Sequence, residues 1–225
     1  MAGAFVDHIR GPDGFQKAFT VSRETLDRLV VYETALKRWQ KTINLVAPST
    51  LDDIWHRHFA DSAQLWAYRP SGAKHWLDLG SGAGFPGLVL AILAADRGGT
   101  RHTLIESDSR KAAFLREVAR ETGVAVDILC MRIEKSETRA KVGEVNCVTA
   151  RALAPMPRLA ELAAPYFASD TLGLFSKGRE VASELDEAAR SWAFLTECKP
   201  SITDPAGAVV LLKALAPIAP SSIVG

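Results

Sequence analysis

The sequence predicts an α/β protein with a mostly parallel sheet, an N-terminal helical extension and an antiparallel hairpin at the C-terminal end of the sheet. Two observations lead to this class. Short apolar runs alternate with amphipathic segments of helix length over residues 76–191, as expected for parallel strands joined by crossover helices. A glycine cluster at residues 80–87 separates the first apolar run from a helix-length one, which indicates a strand, a tight turn and a helix.

The composition is that of one large domain with an appended segment, because 225 residues that are 48% hydrophobic can bury a substantial core. With a formal net charge of +1, any binding of nucleic acid must depend on a local basic face. No export signal and no apolar run of membrane-spanning length are found, so we expect a cytoplasmic protein without a membrane partner. The odd cysteine count favours buried, reduced thiols at Cys130, Cys147 and Cys198.

The N-terminal part is expected to be helical after a flexible arm. Residues 1–20 combine three glycines and one proline without sustained periodicity, which is typical of an arm. Residues 21–72 form the predicted helical extension. In it, Ser22 is suited to cap a helix that runs to about Lys41, and Thr50 begins a capping pattern for a second helix that ends near Tyr68.

Residues 73–215 form the predicted sheet domain, and residues 216–225, rich in Ala and Pro, a disordered tail. Gly123 is placed to end one of the helices. The predicted strands are 76–79, 101–106, 124–130, 145–150 and 171–175, the predicted helices are 88–95, 109–121, 157–167 and 179–191, and the hairpin joins 192–198 to 208–215.

The glycine segment predicts a nucleotide-type cofactor. Gly80, Gly82 and Gly84 allow a sharp turn and a close approach of a ligand to the main chain. The spacing fits a dinucleotide, with Glu106 placed as a ribose-binding carboxylate. However, Asp78 would repel a pyrophosphate, whereas it suits the ammonium of S-adenosylmethionine. The residues favour S-adenosylmethionine, and a dinucleotide remains the alternative.

Four further candidate binding residues lie at the carboxyl ends of the predicted strands, at the same edge of the sheet as the glycine segment. Glu106 can accept hydrogen bonds from both ribose hydroxyls. Ile133 and Glu134 can form a wall and a hydrogen-bonding partner for an adenine, and Arg151 points towards the same opening. Taken singly, Glu134 could equally be a charge at a helix start and Arg151 part of a surface salt bridge.

Two groups of side chains on the predicted helices can be interpreted either as ordinary surface residues or as functional residues. Lys37, Arg38 and Lys41 lie on one helix face, which is usually only solvated but can contact phosphate. In the second helix, His58 and Ser62 are four residues apart, as are Arg57 and Asp61. The spacing alone is explained by an intrahelical salt bridge.

Taken together, these motifs resemble the family of small-subunit ribosomal RNA methyltransferase G, also called glucose-inhibited division protein B. The resemblance extends over about residues 22–215, and its segments are 39–47, 57–62, 78–87, 105–111, 132–134 and 150–152. It implies a Rossmann-like fold that binds S-adenosylmethionine and methylates N-7 of a guanine in a decoding-region loop of 16S ribosomal RNA. It also implies cofactor contacts at Gly80, Phe85, Ile133, Glu134 and Arg151, and it moves residues 57, 58, 61 and 62 to the substrate side.

The residue chemistry agrees with ring-nitrogen methylation. Guanine N-7 has a lone pair and no proton to lose, so transfer needs positioning and electrostatics more than a general base. We therefore expect Arg151, His58 and Arg57 to position the reactants, Lys37, Arg38, Lys41 and Arg57 to contact RNA, no metal, and a monomer. The alternatives are a methyltransferase for a small metabolite and a non-enzymatic dinucleotide sensor.

Overall fold

The computed structural model describes residues 6–218, which form one seven-stranded sheet with helices on both sides. The strand order is β3-β2-β1-β4-β5-β7-β6. Neighbours from β3 to β5 are parallel, and β7 is antiparallel to both β5 and β6. The predicted fold is thereby confirmed. The strands are β1 (His75–Leu79), β2 (Arg101–Ile105), β3 (Asp127–Leu129), β4 (Cys147–Arg151), β5 (Leu172–Lys177), β6 (Trp192–Pro200) and β7 (Ala208–Pro217).

The centre of the sheet lies at β1 and β4. Every residue of β1 is buried, in agreement with its nearly continuous apolar sequence, because a central parallel strand is covered on both faces. The chain runs from β1 to β2 on one side and later returns to β4 on the other. This reversal opens a crevice at the carboxyl ends of β1 and β4, which is where ligands bind in open α/β sheets.

The helices follow the amphipathic segments, with two well-defined ends. The Ser22 hydroxyl accepts a hydrogen bond from the amide of Thr25 (3.0 Å) and caps α2, as predicted. Gly123, in the left-handed conformation, ends α5. None of the helices within residues 6–218 is both long and apolar enough to cross a membrane. The helices are α1 (Pro12–Phe19), α2 (Arg23–Trp39), α3 (Asp61–Ala63), α4 (Gly87–Ala95), α5 (Ser109–Thr122), α6 (Ser136–Val142), α7 (Met156–Ala163) and α8 (Val181–Ala188).

The expected flexible arm is wrong for most of its described part. Residues 12–19 form α1, and Phe15 is fully buried against Trp55, with the ring centroids 5.7 Å apart. Ile9 is buried as well. Pro12 lies at the start of the helix, where the missing amide has no cost because it would have no helical partner. Burial of Phe15 stabilises the helix, although the local sequence favours a helix only weakly. Residues 1–5 lie outside the described residues.

The second predicted helix begins later than expected and is not a regular α-helix. Residues Trp55–Ala60 form a π-helix, followed by α3 and a 3-10 segment over Gln64–Tyr68. The hydroxyl of Thr50 does not cap this helix, because it is bonded to the carbonyl of Ala47 and to the ring of His58. A π-helical turn widens the backbone and is common at functional sites.

Two further expectations need correction. Only Cys147 is buried, whereas Cys130 and Cys198 are exposed, because the ends of β3 and the edge strand β6 are covered on fewer sides than the central strands. The predicted tail begins too early, since β7 continues to Pro217; residues 219–225 lie outside the described residues.

The predicted helical extension shares its hydrophobic core with the sheet domain, as Leu29, Leu36 and Phe59 belong to the same buried cluster as α4.

Candidate active site

A cavity of about 470 Å³ opens at the carboxyl ends of β1, β2 and β4. Its size lies in the usual range for a small-molecule site. The glycine loop after β1 forms its floor, and residues after β2, β3 and β4 form its walls. The structure therefore brings most of the predicted cofactor residues together, namely Gly80, Gly82, Phe85, Glu106, Ile133, Glu134 and Arg151.

Glu106 lies at the end of β2 with its carboxylate tied to the backbone. Only 7% of the residue is exposed. The amide of Gly82 donates to Oε2 (2.8 Å) and the amide of Asp108 donates to Oε1 (2.7 Å). Because an ionised carboxylate accepts about four hydrogen bonds, lone pairs remain for two hydroxyl donors in the cavity. The geometry fits the predicted contact with a ribose diol.

Asp78 does not line the cavity, and its predicted contact with a ligand ammonium stays a prediction. The residue is 2% exposed and lies beneath the glycine loop, where its Oδ1 accepts from the hydroxyl of Thr149 on β4 (2.7 Å). A side chain added at Gly87 would meet the carboxylate of Asp78 at 2.7 Å. Burial raises the pKa of Asp78 to about 6. Its position indicates that Asp78 links β1, β4 and the start of α4.

Gly84 does not line the cavity either, and its predicted role in binding the cofactor stays a prediction. It has φ of +92°, and a Cβ there would lie 2.4 Å from the hydroxyl of Tyr32. Tyr32 is buried in α2, donates a hydrogen bond to the carbonyl of Ala83 and stacks on Phe85 with the ring centroids 5.4 Å apart. Gly84 thus makes room for the side chain that joins the helical extension to the loop.

Arg151 is held in place by groups from the 55–61 segment. One terminal nitrogen donates to the carbonyl of Arg57 (3.0 Å) and to Oδ2 of Asp61 (3.1 Å), and the other donates to Nδ1 of His58 (2.8 Å). The guanidinium carbon lies 4.9 Å from the centroid of the Phe85 ring. Arg57 and Asp61 do not form the intrahelical pair that their spacing suggested, because Asp61 bonds to Arg151 instead.

The hydrogen bonds of His58 define its protonation state. Because a guanidinium can only donate, Nδ1 of His58 accepts from Arg151, and Nε2 carries the proton and donates to the hydroxyl of Thr50 (2.8 Å). Burial, reinforced by the charges of Arg151 and Arg57, lowers the pKa of His58 to about 3. His58 is therefore neutral at pH 7 and holds Arg151 in place.

A second cavity, also of about 470 Å³, meets the first one at Leu45, Arg151 and Ala152. Its walls include the predicted substrate-side residues Arg57, His58 and Asp61. Ser62 lies behind them and is fully buried. Arg57 reaches across the opening towards Asp204 (3.5 Å).

Sequence reasoning missed Ser176, Lys177 and Glu184 in this second cavity. Ser176 and Lys177 end β5 at the same edge of the sheet as Arg151. The end-of-strand rule that identified Glu106 and Arg151 could have found these two residues. Glu184 lies inside α8, where no sequence signal distinguishes it from other charged helix positions.

The predicted basic face of α2 is largely neutralised and lines neither cavity. Lys37 pairs with Glu33 (2.7 Å), and Arg38 pairs with Glu121 on α5 (2.7 Å). Lys41 is exposed beyond the end of α2. Lys111, Arg132 and Arg158 do line the first cavity, and of these three Arg158 is paired with Glu134 and Glu161. Nowhere in residues 6–218 do three or more His, Cys, Asp or Glu side chains form a group that could hold a metal ion.

Comparisons with known proteins agree with this geometry. The family model described as rRNA small subunit methyltransferase G matches residues 25–208. Proteins called ribosomal RNA small subunit methyltransferase G from Rhodospirillum centenum and Parvibaculum lavamentivorans are 54% and 50% identical over 203 residues, which cover 90% of this chain and 90% and 89% of those proteins.

Solved structures support the fold. An O-methyltransferase from Bacillus cereus, in complex with SAH, has a TM-score of 0.59 at 10% identity and covers 90% of this chain and 96% of its own. A TehB-like SAM-dependent methyltransferase from Corynebacterium glutamicum has a TM-score of 0.54 at 14% identity and covers 82% and 98%. From the family match and its close relatives, the chain belongs to the rRNA small subunit methyltransferase G family.

Proposed function

We propose that the protein transfers a methyl group from S-adenosylmethionine to N-7 of a guanine in a decoding-region loop of 16S ribosomal RNA. The observation that carries this proposal is the meeting of two cavities at Arg151. One cavity has the residues for a nucleoside cofactor, and the other has space and polar groups for a base. Methyl transfer requires the two reacting atoms to lie in line at about 3 Å before reaction, and the shared boundary is the place where this can occur.

The first cavity fits S-adenosylmethionine. Glu106 can accept hydrogen bonds from the ribose hydroxyls, Ile133 can pack against the adenine, and the backbone at Gly80 and Gly82 permits close approach. S-adenosylmethionine supplies an electrophilic methyl group on a sulfonium when bound. Phe85 is stacked against Tyr32 and His58, so this buried ring contributes a fixed apolar group to the lining of the cavity.

The second cavity supplies positioning and electrostatics without a general base. Guanine N-7 attacks with its own lone pair, so no proton has to be removed. His58 is neutral and already uses both ring nitrogens, and Arg151 stays protonated. Arg151 can donate to guanine O-6, next to the reacting nitrogen, in the way arginine reads guanine in nucleic-acid complexes. Asp61, on the far side of the guanidinium, keeps the Arg151 side chain oriented.

We further propose that the protein acts as a monomer in the cytoplasm and that its partner is 16S ribosomal RNA or the small ribosomal subunit. Arg57 contacts this RNA, with Lys37, Arg38 and Lys41 contributing as a peripheral basic face. Ion pairs reduce the share of Lys37 and Arg38.

The proposal is tested by incubating the purified chain with labelled S-adenosylmethionine and small-subunit RNA, either free or assembled. Mass spectrometry of nuclease fragments should find 7-methylguanosine at one site in a decoding-region loop. Ribosomal RNA from cells with and without the gene should differ at the same nucleotide. A methyl group on an exocyclic amine, on a ribose or on a small molecule would contradict the proposal.

A further inference from the structure

We propose that Glu184 and Ser176 recognise the Watson–Crick edge of the target guanine and select it over other purines. This inference rests on the proposed function, since it concerns the base that enters the second cavity. Both residues line that cavity and neither lines the cofactor cavity. A base that presents N-7 and O-6 to the boundary at Arg151 directs its N-1 and N-2 donors away from the boundary, further into the second cavity.

Donors on a base need acceptors, and both oxygens of each of the other two carboxylates of this cavity already have a partner. Asp61 accepts from Gln64 (2.9 Å) and Thr203 (3.0 Å) through Oδ1 and from Arg151 through Oδ2. Asp204 accepts from the amide of Ala206 (2.9 Å) and faces Arg57. Neither carboxylate can turn towards a base without breaking contacts that shape the site.

Glu184 has an uncommitted oxygen. Its Oε2 accepts from the amide of Met156 (2.8 Å) and forms an ion pair with the ammonium of Lys177 (2.5 Å). Within residues 6–218, no hydrogen-bond donor is bonded to its Oε1. The first two contacts fix the carboxylate in place, since Lys177 is also bonded to the carbonyl of Ala154 (3.0 Å). An oriented carboxylate oxygen with free lone pairs, facing a cavity, is suited to accept from a ligand donor.

Ser176 supplies an independent observation beside it. It is paired with Arg151 in the register of β4 and β5, and it lines the second cavity but not the first. Its Oγ is buried and has no hydrogen-bond partner within the described part of the chain. A buried hydroxyl without a partner is costly unless a ligand or water satisfies it.

Guanine matches these groups, and adenine does not. Guanine presents N1–H and the 2-amino group as neighbouring, nearly parallel donors. Oε1 of Glu184 can accept from both, and Oγ of Ser176 can accept the second proton of the 2-amino group. Adenine presents an acceptor at N-1, which would face the carboxylate oxygen with no proton between them. The base of inosine keeps N1–H, O-6 and N-7 but lacks the 2-amino group. A comparison of guanine with inosine therefore tests the 2-amino donor alone. A site with acceptors for both donors rejects such an analogue strongly.

The test compares single-turnover methylation of small-subunit RNA that carries guanine or inosine at the target position. The wild-type protein should prefer guanine by at least about tenfold. In Glu184→Gln, the amide oxygen can keep the bond to Met156 while the amide nitrogen faces the base donors. We expect methylation of guanine to fall by about 10²-fold and the preference over inosine to fall towards one, with affinity for S-adenosylmethionine unchanged.

Controls separate recognition from support of the site. Glu187→Gln, at an exposed position of the same helix, should leave rate and preference unchanged. Ser176→Ala should lower the preference for guanine over inosine without altering the contacts of Lys177. This variant tests the inference if Glu184→Gln does not fold. A Glu184→Gln protein that slows guanine and inosine equally would reduce Glu184 to a structural role and overturn the inference. If the wild-type protein methylates no guanine N-7, the proposed function itself fails.

Discussion

Arg151 joins the two cavities, and its contacts place the 55–61 segment beside the candidate site. Its guanidinium is bonded to Asp61, His58 and a main-chain carbonyl. Only 17% of the side chain is exposed. Preorganised donors of this kind lose little entropy when the substrate binds. The chain thus uses its helical extension to hold a residue that the sheet supplies.

Replacement of Arg151 should therefore affect turnover more than cofactor binding. We expect Arg151→Ala to lower guanine methylation by about 10²-fold or more, which corresponds to about 3 kcal/mol of lost positioning. Affinity for S-adenosylmethionine should fall by less than about tenfold, since Glu106 and the glycine loop remain. Single-turnover methylation and calorimetry measure the two effects, with the exposed Arg120→Ala as control. Equal losses in both would assign Arg151 to the cofactor alone.

His58 should make the stability of the fold dependent on pH. Burial lowers its pKa to about 3 in the folded protein, whereas an unfolded histidine titrates near 6.5. The unfolded chain then binds the proton first, so stability is fully present above about pH 6.5 and is lost as the pH falls towards 3.

The contribution of His58 can be measured by urea unfolding at pH 7 and pH 5. His58 alone should account for up to about 2 kcal/mol of the loss between these pH values. His58→Asn should show a correspondingly smaller loss, although His75 and His102, whose pKa values burial also lowers, keep some pH dependence. An identical loss in both proteins would contradict a neutral, buried His58.

At the scale of elements, α2 supports the glycine loop through Tyr32. A Cβ at residue 84 would lie 2.4 Å from the Tyr32 hydroxyl and 2.9 Å from Leu88. We expect Gly84→Ala to cost about 1–3 kcal/mol of stability through overpacking and to weaken cofactor binding by displacing the loop.

Gly98→Ala is a matched control for this change. Gly98 also has positive φ (+65°), but nothing lies within 4 Å of its added Cβ. It should show the backbone strain of about 1 kcal/mol and normal affinity for S-adenosylmethionine. Thermal unfolding and calorimetry compare the two proteins. If both lose the same stability and both bind normally, α2 does not position the loop.

Local sequence signals predicted those elements whose cause is local. Ser22, Gly123 and the apolar run of α4 have the expected roles because caps, stop signals and apolar runs act within a few residues. The helix α6 was missed, since its seven residues SETRAKV are mostly polar and leave only Thr138 and Val142 buried. The sequence did not reveal the π-helical turn, because the partners of Arg57, His58 and Asp61 that accompany this backbone geometry are distant in sequence.

In the candidate site, too, local sequence signals predicted some positions, and packing between distant residues determined others. The end-of-strand position predicted Glu106 and Arg151, because parallel strands place their carboxyl ends together. It could not predict that Asp78 turns under the loop towards Thr149 or that Gly84 faces Tyr32. Both outcomes depend on which element packs below the loop, and that packing joins residues far apart in sequence.

At the scale of the whole molecule, the distribution of charge matters more than its sum. The formal net charge is only +1. Carboxylates on α2 and α5 neutralise Lys37 and Arg38. Lys111 and Arg132, in contrast, line the cofactor cavity and form no ion pair within residues 6–218. Because the two cavities meet at Arg151, Lys111 and Arg132 are candidates for contact with an RNA that places its base in the second cavity.

The dependence of RNA affinity on salt distinguishes the two faces. If Lys111 and Arg132 each neutralise one phosphate, the double replacement by Ala should flatten the slope of log affinity against log salt by about 1.4, at about 0.7 per phosphate of a single strand. Replacing Lys37, Arg38 and Lys41 together should flatten it less, because two of the three cations already have carboxylate partners. Filter binding of small-subunit RNA between 50 and 200 mM salt covers the range in which such slopes are measured. A larger effect of the triple replacement would place the main RNA contact on α2 and leave the opening of the cofactor cavity free of RNA.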